Sequence, residues 1–188
     1  VKENLEKEKG KKIFMFHTTL NEFKPEHLAL VESESYSILP KNFDYYAGGH
    51  VHSITNEFKE GYGRIVYPGP LFPNNFSELE KLENGGLFIN EFTNEGVKTN
   101  YVALKLKEVK KYMFDLTGKD AMDAKDIILK EIKKKDIEDK IVLLRLKGTL
   151  ESGKISDIDF RGVFNELKDA FVIFKNSSEL KVKEFEDV

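Results

Sequence analysis

The chain has 188 residues, 40% of them hydrophobic and 12% aromatic, which is enough for a real core in one large domain or two small ones. It contains no cysteine, which excludes disulfides and thiolate ligands, so any metal must be held by His, Asp, Glu or Asn. No apolar run approaches the ~18 residues of a membrane span and no signal-peptide pattern is present, so a cytoplasmic protein without a membrane partner is the expectation.

The opening VKENLEKEKGKK reads as the charged end of a helix closed by Gly10 and carries no start signal, so the chain is expected to be an excerpt from a longer protein. KKIFMFH (11–17) predicts a buried strand ending on His17. KPEHLALVESE (24–34), with Pro25 in a first-turn position, predicts a helix of two or three turns. FDYYAGG (43–49) predicts a second buried strand, with Gly48 and Gly49 letting the backbone leave it and turn. Residues 53–59 and 64–69 flank EGYG as a hairpin, 68–86 is a Pro- and Asn-rich loop, and 86–92 with 96–104 form another hairpin.

After residue 104 the character changes. A strand at VKKYMFDL is followed by an amphipathic helix over 121–136, with Ile127, Ile128, Leu129 and Ile132 inward. Then come a strand over 140–148, a helix over 159–169 and a strand over 170–175. This β-α-β-α-β order predicts a small α+β domain over 105–188, with its helices on one side of the sheet, separate from a domain over 1–104. The net charge shifts from −4 over 1–104 to +1 over 105–188. The fold class expected for the whole chain is α/β, α+β overall.

Four histidines are present: His17, His27, His50 and His52. His27 lies within the predicted helix and reads as surface or structural. His17 has two readings, a packed strand-end residue or a ligand. In a strand, His50 and His52 would share a face about 7 Å apart, close enough to bracket one metal or to bind one each of two. The carboxyl ends of strands in an open α/β sheet are where ligands gather, and His17 and His50 both sit at such ends. The candidate metal residues are therefore His17, His50 and His52. Three imidazoles suit a single zinc, whereas a two-metal phosphoesterase site needs carboxylates as well. The only aspartate in 1–104 is Asp44, at the wrong end of its strand.

FDYYAGGHVH, with a strand-end His 33 positions before His50, resembles the last two metal motifs of the calcineurin-like metallophosphoesterases. IFMFHTTL and IVYPGPLFPNNFSE bring it closest to the archaeal double-strand-break-repair nucleases of the SbcD type. The resemblance implies the C-terminal part of a metallophosphoesterase β-sandwich flanked by helices over 1–104 and a DNA-capping domain over 105–188. It also implies a manganese-dependent exonuclease and endonuclease with two Mn2+ ions, His17 and His50 on one and His52 on the other. Its partners would be DNA ends and single strands, an SMC-like ABC ATPase and a second copy in a homodimer. The family's Asp-x-His, Gly-Asp and Gly-Asn-His-Asp motifs are not in this sequence. Beyond metal ligands the chain thus carries no catalytic residue, and alone it is expected to be inactive. Two alternatives stand: a small-molecule phosphodiesterase, or a non-catalytic module that binds DNA or a partner. Lys133, Lys134 and Lys135 read either as DNA contacts or as a solvated helix end.

Overall fold

The computed structural model describes residues 2–25, 28–132 and 136–183. It is a mixed α/β structure, about 22% helix and 41% strand, so strands carry the architecture; they form sheets of four, two and three strands. Two compact units are present: Val1–Pro73 with Asn84–Leu104, and Asn74–Glu83 with Lys105–Val188. The expected boundary near 104 is one of three places where the chain passes between them. Among the described residues no helix is long and apolar enough to cross a membrane.

In the first unit, a short helix α1 (Lys2–Lys7) precedes a sheet of β1 (Ile13–His17), β2 (Tyr45–Gly49), β3 (Ile54–Lys59) and β4 (Gly63–Pro68). Their order is β1-β2-β4-β3, with β1, β2 and β4 parallel and β3 antiparallel to β4. Alternation along the strands sends Phe14, Phe16, Tyr46, Ile65 and Tyr67 to one face, where Leu20, Phe23, Leu39, Phe43 and Val51 complete an aromatic core. The Tyr46 hydroxyl donates to the Pro40 carbonyl at 2.5 Å and accepts from the Phe43 N–H at 3.3 Å, which satisfies a polar group inside that core.

On the other face Tyr45 meets Phe92, ring centres 6.4 Å apart, from a hairpin of β5 (Gly85–Thr93) and β6 (Gly96–Leu104). Strand β1 is not buried on both faces as expected. It is an edge strand, and Ile13 and Met15 are exposed, Met15 at 79%.

The helix expected over 24–34 is not formed in its described part. Leu28 and Val31 close short turns onto Pro25 and Leu28, and Leu20 and Glu34 form a bridge. Leu30 is fully exposed and Val31 is exposed as well, so these two side chains give a helix nothing to bury. His27 lies outside the described residues, as do Lys133, Lys134 and Lys135.

In the second unit β7 (Val109–Asp115), β8 (Ile141–Leu150) and β9 (Val172–Val182) make a parallel sheet with β8 central. Helices α3 (Ala124–Glu131) and α4 (Phe160–Glu166) form the connections. Val142, Leu144 and Leu146 of β8 join Ala124, Ile128, Val163 and Leu167 of the two helices in one core. Ile132 caps α3 in that core, while Ile127 and Leu129 are only partly buried.

The opposite face of β8 is covered too. Leu143 is buried, and Arg145 bonds a helix that lies within the stretch expected to be a loop, α2 (Phe76–Leu82). The helices of 105–188 thus lie on one side of the sheet, as expected, while α2, from outside that range, lies on the other, which accounts for the near-continuous apolar run of β8. The signal for α2 was in the sequence: Asn75 caps the N–H of Glu78 at 3.0 Å, and Glu78 reaches back to the N–H of Asn74 at 3.2 Å.

Candidate metal-binding edge

Because β1, β2 and β4 are parallel, their carboxyl ends lie along one edge of the first sheet. His17 ends β1, in register with Gly49, the last residue of β2. His50 follows at once. His52 belongs to the short connection to β3, whose first residue, Ile54, pairs with Pro68 at the end of β4.

The structure brings His17 and His50 together. Their ring centres are 5.4 Å apart with planes inclined at 69°, an edge-on arrangement, and both residues are exposed. Three local features produce it. A β-carbon on Gly49 would lie 2.6 Å from His17 Nδ1, so only glycine lets the imidazole rest against the β2 backbone. A β-carbon on Gly48 would lie 2.8 Å from both Phe16 Cζ and Tyr67 Cε1, so that glycine admits two core rings beneath the edge. The Tyr67 hydroxyl donates to the Thr18 carbonyl at 2.9 Å and holds the chain as it leaves β1.

The glycines do not make the turn that was expected of them. It is His50 that takes φ +87°, a conformation costly for a residue with a side chain. Tyr67, which steadies the chain after His17, lies in the IVYPGPLFPNNFSE stretch that carries the family resemblance.

His52 is exposed and makes an interaction of its own. It does not complete a cluster with the other two: among the described residues no group of three or more His, Cys, Asp or Glu side chains is arranged to hold a metal ion. Asp44 is at the far end of β2, where its carboxylate accepts from the Lys12 N–H at 2.7 Å and faces Lys11 Nζ at 3.8 Å. Arg64, on β4, donates to Asn56 Oδ1 at 2.7 Å.

The residues at this edge do not fit a pair of Mn2+ ions. Manganese favours carboxylate, carbonyl and water oxygens, and two dications held close together need a bridging anion; the described edge offers imidazoles. Two imidazoles suit one borderline ion such as zinc, with other ligands completing its shell. The sequence matches no protein-family model and no curated protein.

Proposed function

We propose that this chain is the histidine-bearing, C-terminal part of a metallophosphoesterase nuclease domain together with its cap. The parent would be an SbcD-type, manganese-dependent exonuclease and endonuclease that processes DNA ends with an ABC-type ATPase. The observation that carries the reading is the His17–His50 pair, delivered by two adjacent parallel strands to one carboxyl edge. A second feature supports it: among the described residues β1 is an edge strand, and its Ile13 and Met15 side chains are exposed, apolar surface of the kind that a partner segment covers. On this reading the carboxylates, the asparagine ligand and the bridging group come from the family's earlier motifs.

For the chain as it stands, the family's acidic motifs are missing from the sequence, and a non-catalytic role in binding DNA or a partner is the reading we favour. Cleavage of duplex DNA with Mn2+ tests both statements. Residues 1–188 alone should not cleave. The same residues joined to a segment carrying Asp-x-His, Gly-Asp and Gly-Asn-His-Asp should cleave, and lose that activity on His50→Ala. Cleavage of small diesters but not of DNA by the joined protein would replace the nuclease reading with a small-molecule phosphodiesterase. Robust cleavage by residues 1–188 alone would remove the reading altogether.

A further inference from the structure

Packing does not explain Met15. Strand β1 alternates, with Phe14 and Phe16 turned towards the aromatic core and Ile13, Met15 and His17 turned out on the other face. Met15 is 79% exposed there, so its thioether fills no gap in a core. It stands two residues before His17, in register with Ala47, which stands two before the Gly49 against which the His17 ring rests. Met15 and His17 are therefore neighbours on one face, about 7 Å apart along the backbone. An unbranched side chain with three rotatable bonds spans most of that separation.

The His17–His50 pair has the spacing of two ligands of one ion. Metal–nitrogen bonds of about 2.0–2.1 Å place the centres of two imidazoles on one ion roughly 5–6 Å apart, and the observed separation is 5.4 Å. His50 is held at φ +87°, and backbone strain of that kind collects at ligand clamps. Among the described residues no third His, Cys, Asp or Glu joins the pair. The donors that this face brings together are two imidazoles and one thioether, all neutral.

We propose that Met15, His17 and His50 form a binding site for a copper(I) ion. A thioether is a soft donor that selects copper(I), and imidazole suits copper as well. Manganese, magnesium and calcium take oxygen donors instead. Zinc favours four ligands in a tetrahedral shell and draws them from His, Cys, Asp and Glu rather than Met. A monovalent ion is matched by three neutral donors, and the exposed edge lets it enter from solvent. The site is that of the chain as it stands and does not depend on the nuclease reading.

Titration of the full chain with copper(I) under anaerobic conditions, in competition with the chromophoric chelator bicinchoninate, tests it. One ion should bind per chain. With methyl-labelled methionine, the Met15 methyl resonance should shift on binding, while those of Met113 and Met122, exposed on the second unit, stay in place. Met15→Leu keeps an exposed apolar side chain of similar size and should weaken copper(I) binding about tenfold or more without changing zinc binding. His17→Ala and His50→Ala should weaken the binding of both ions. Met113→Leu and Met122→Leu should leave both affinities unchanged. Met15→His should raise zinc affinity by supplying a third imidazole, and so reverse the preference. Copper(I) binding that Met15→Leu leaves unchanged would overturn the site, as would a Met15 methyl that does not move, or no binding at all. Such a loss would leave the nuclease reading to be decided by DNA cleavage in the joined protein. Copper(I) binding by a chain whose joined form does not cleave DNA would uphold the site and remove the nuclease reading.

Discussion

The imidazole of His17 rests on the backbone of Gly49, with Nδ1 2.6 Å from where a β-carbon would be. The neighbouring Gly48 is closed in by core rings instead. The two glycines should therefore respond differently to alanine. Gly49→Ala meets the movable end of one exposed side chain, so it should displace His17 and cost little stability. Gly48→Ala must push Phe16 and Tyr67 apart and should cost about 1–3 kcal/mol. Urea denaturation measures the costs, and the nuclear Overhauser effect between the two imidazoles reports the displacement. Equal costs at the two positions would contradict this division of roles.

A single zinc ion should bind the chain weakly, through His17 and His50. His17→Ala and His50→Ala should each reduce affinity more than about tenfold, since even outer-shell losses at metal sites reach that size. His52→Ala should have the smallest effect of the three, because His52 joins no ligand group with the pair. Ring resonances followed through a zinc titration separate the three. A dominant effect of His52→Ala would show that the paired rings are not the site.

Burial pushes the Tyr46 and Tyr67 hydroxyls up to about 12. Each therefore keeps its proton in the folded chain at a pH where the unfolded chain has lost it. The stability each contributes is fully present below about pH 10, the ordinary tyrosine value, and is lost as pH rises towards 12. The loss should be on the order of 2 kcal/mol per tyrosine. Denaturation series at increasing pH on the unaltered chain, Tyr46→Phe and Tyr67→Phe should show each variant with a shallower decline. At neutral pH, Tyr46→Phe should itself cost about 1–3 kcal/mol, because the Phe43 N–H and Pro40 carbonyl lose their partner inside the core.

Leu144 is fully buried on the side of β8 that faces α3 and α4. Leu144→Ala should destabilise the second unit by about 2–5 kcal/mol. The His17–His50 contact, built wholly within the first unit, should survive at denaturant concentrations that unfold the second. Residue-resolved NMR during urea titration checks this. Simultaneous loss of both signals would mean that the two units unfold as one.

The Arg145 guanidinium beside Glu80 holds that carboxyl below the ordinary glutamate range, and Lys111 and Lys81 act in the same direction. A carboxyl depressed by folding contributes stability that is present above its unfolded value, about 4.3, and is lost as pH falls through its folded value. Protection of the Leu79 and Glu83 amides should accordingly hold at pH 6 to 7 and fall in acid below about pH 4. Glu80→Ala should flatten that dependence.

Elements whose periodicity is local can be read along the chain. The strands ending at His17 and Gly49, both hairpins and the β-α-β-α-β run all follow from alternation or helical spacing bounded by glycine and charge. Two of the three metal candidates, His17 and His50, were also legible as strand-end residues. What lies next to what emerges with folding. Residues 24–34 have a helical pattern, but Leu30 and Val31 are left exposed, and a short helix does not hold in water without a buried face. Residues 76–82 lie in a Pro- and Asn-rich stretch, yet form a helix because Asn75 caps it and Arg145, 65 positions from Glu80, fastens it to a sheet. The meeting of His17 with His50 depends on parallel pairing across 32 residues and on a glycine whose purpose is space rather than turning. Periodicity is written in neighbours along the chain, whereas pairing register, ionic clamps and room for a ring are properties of segments that meet only after folding.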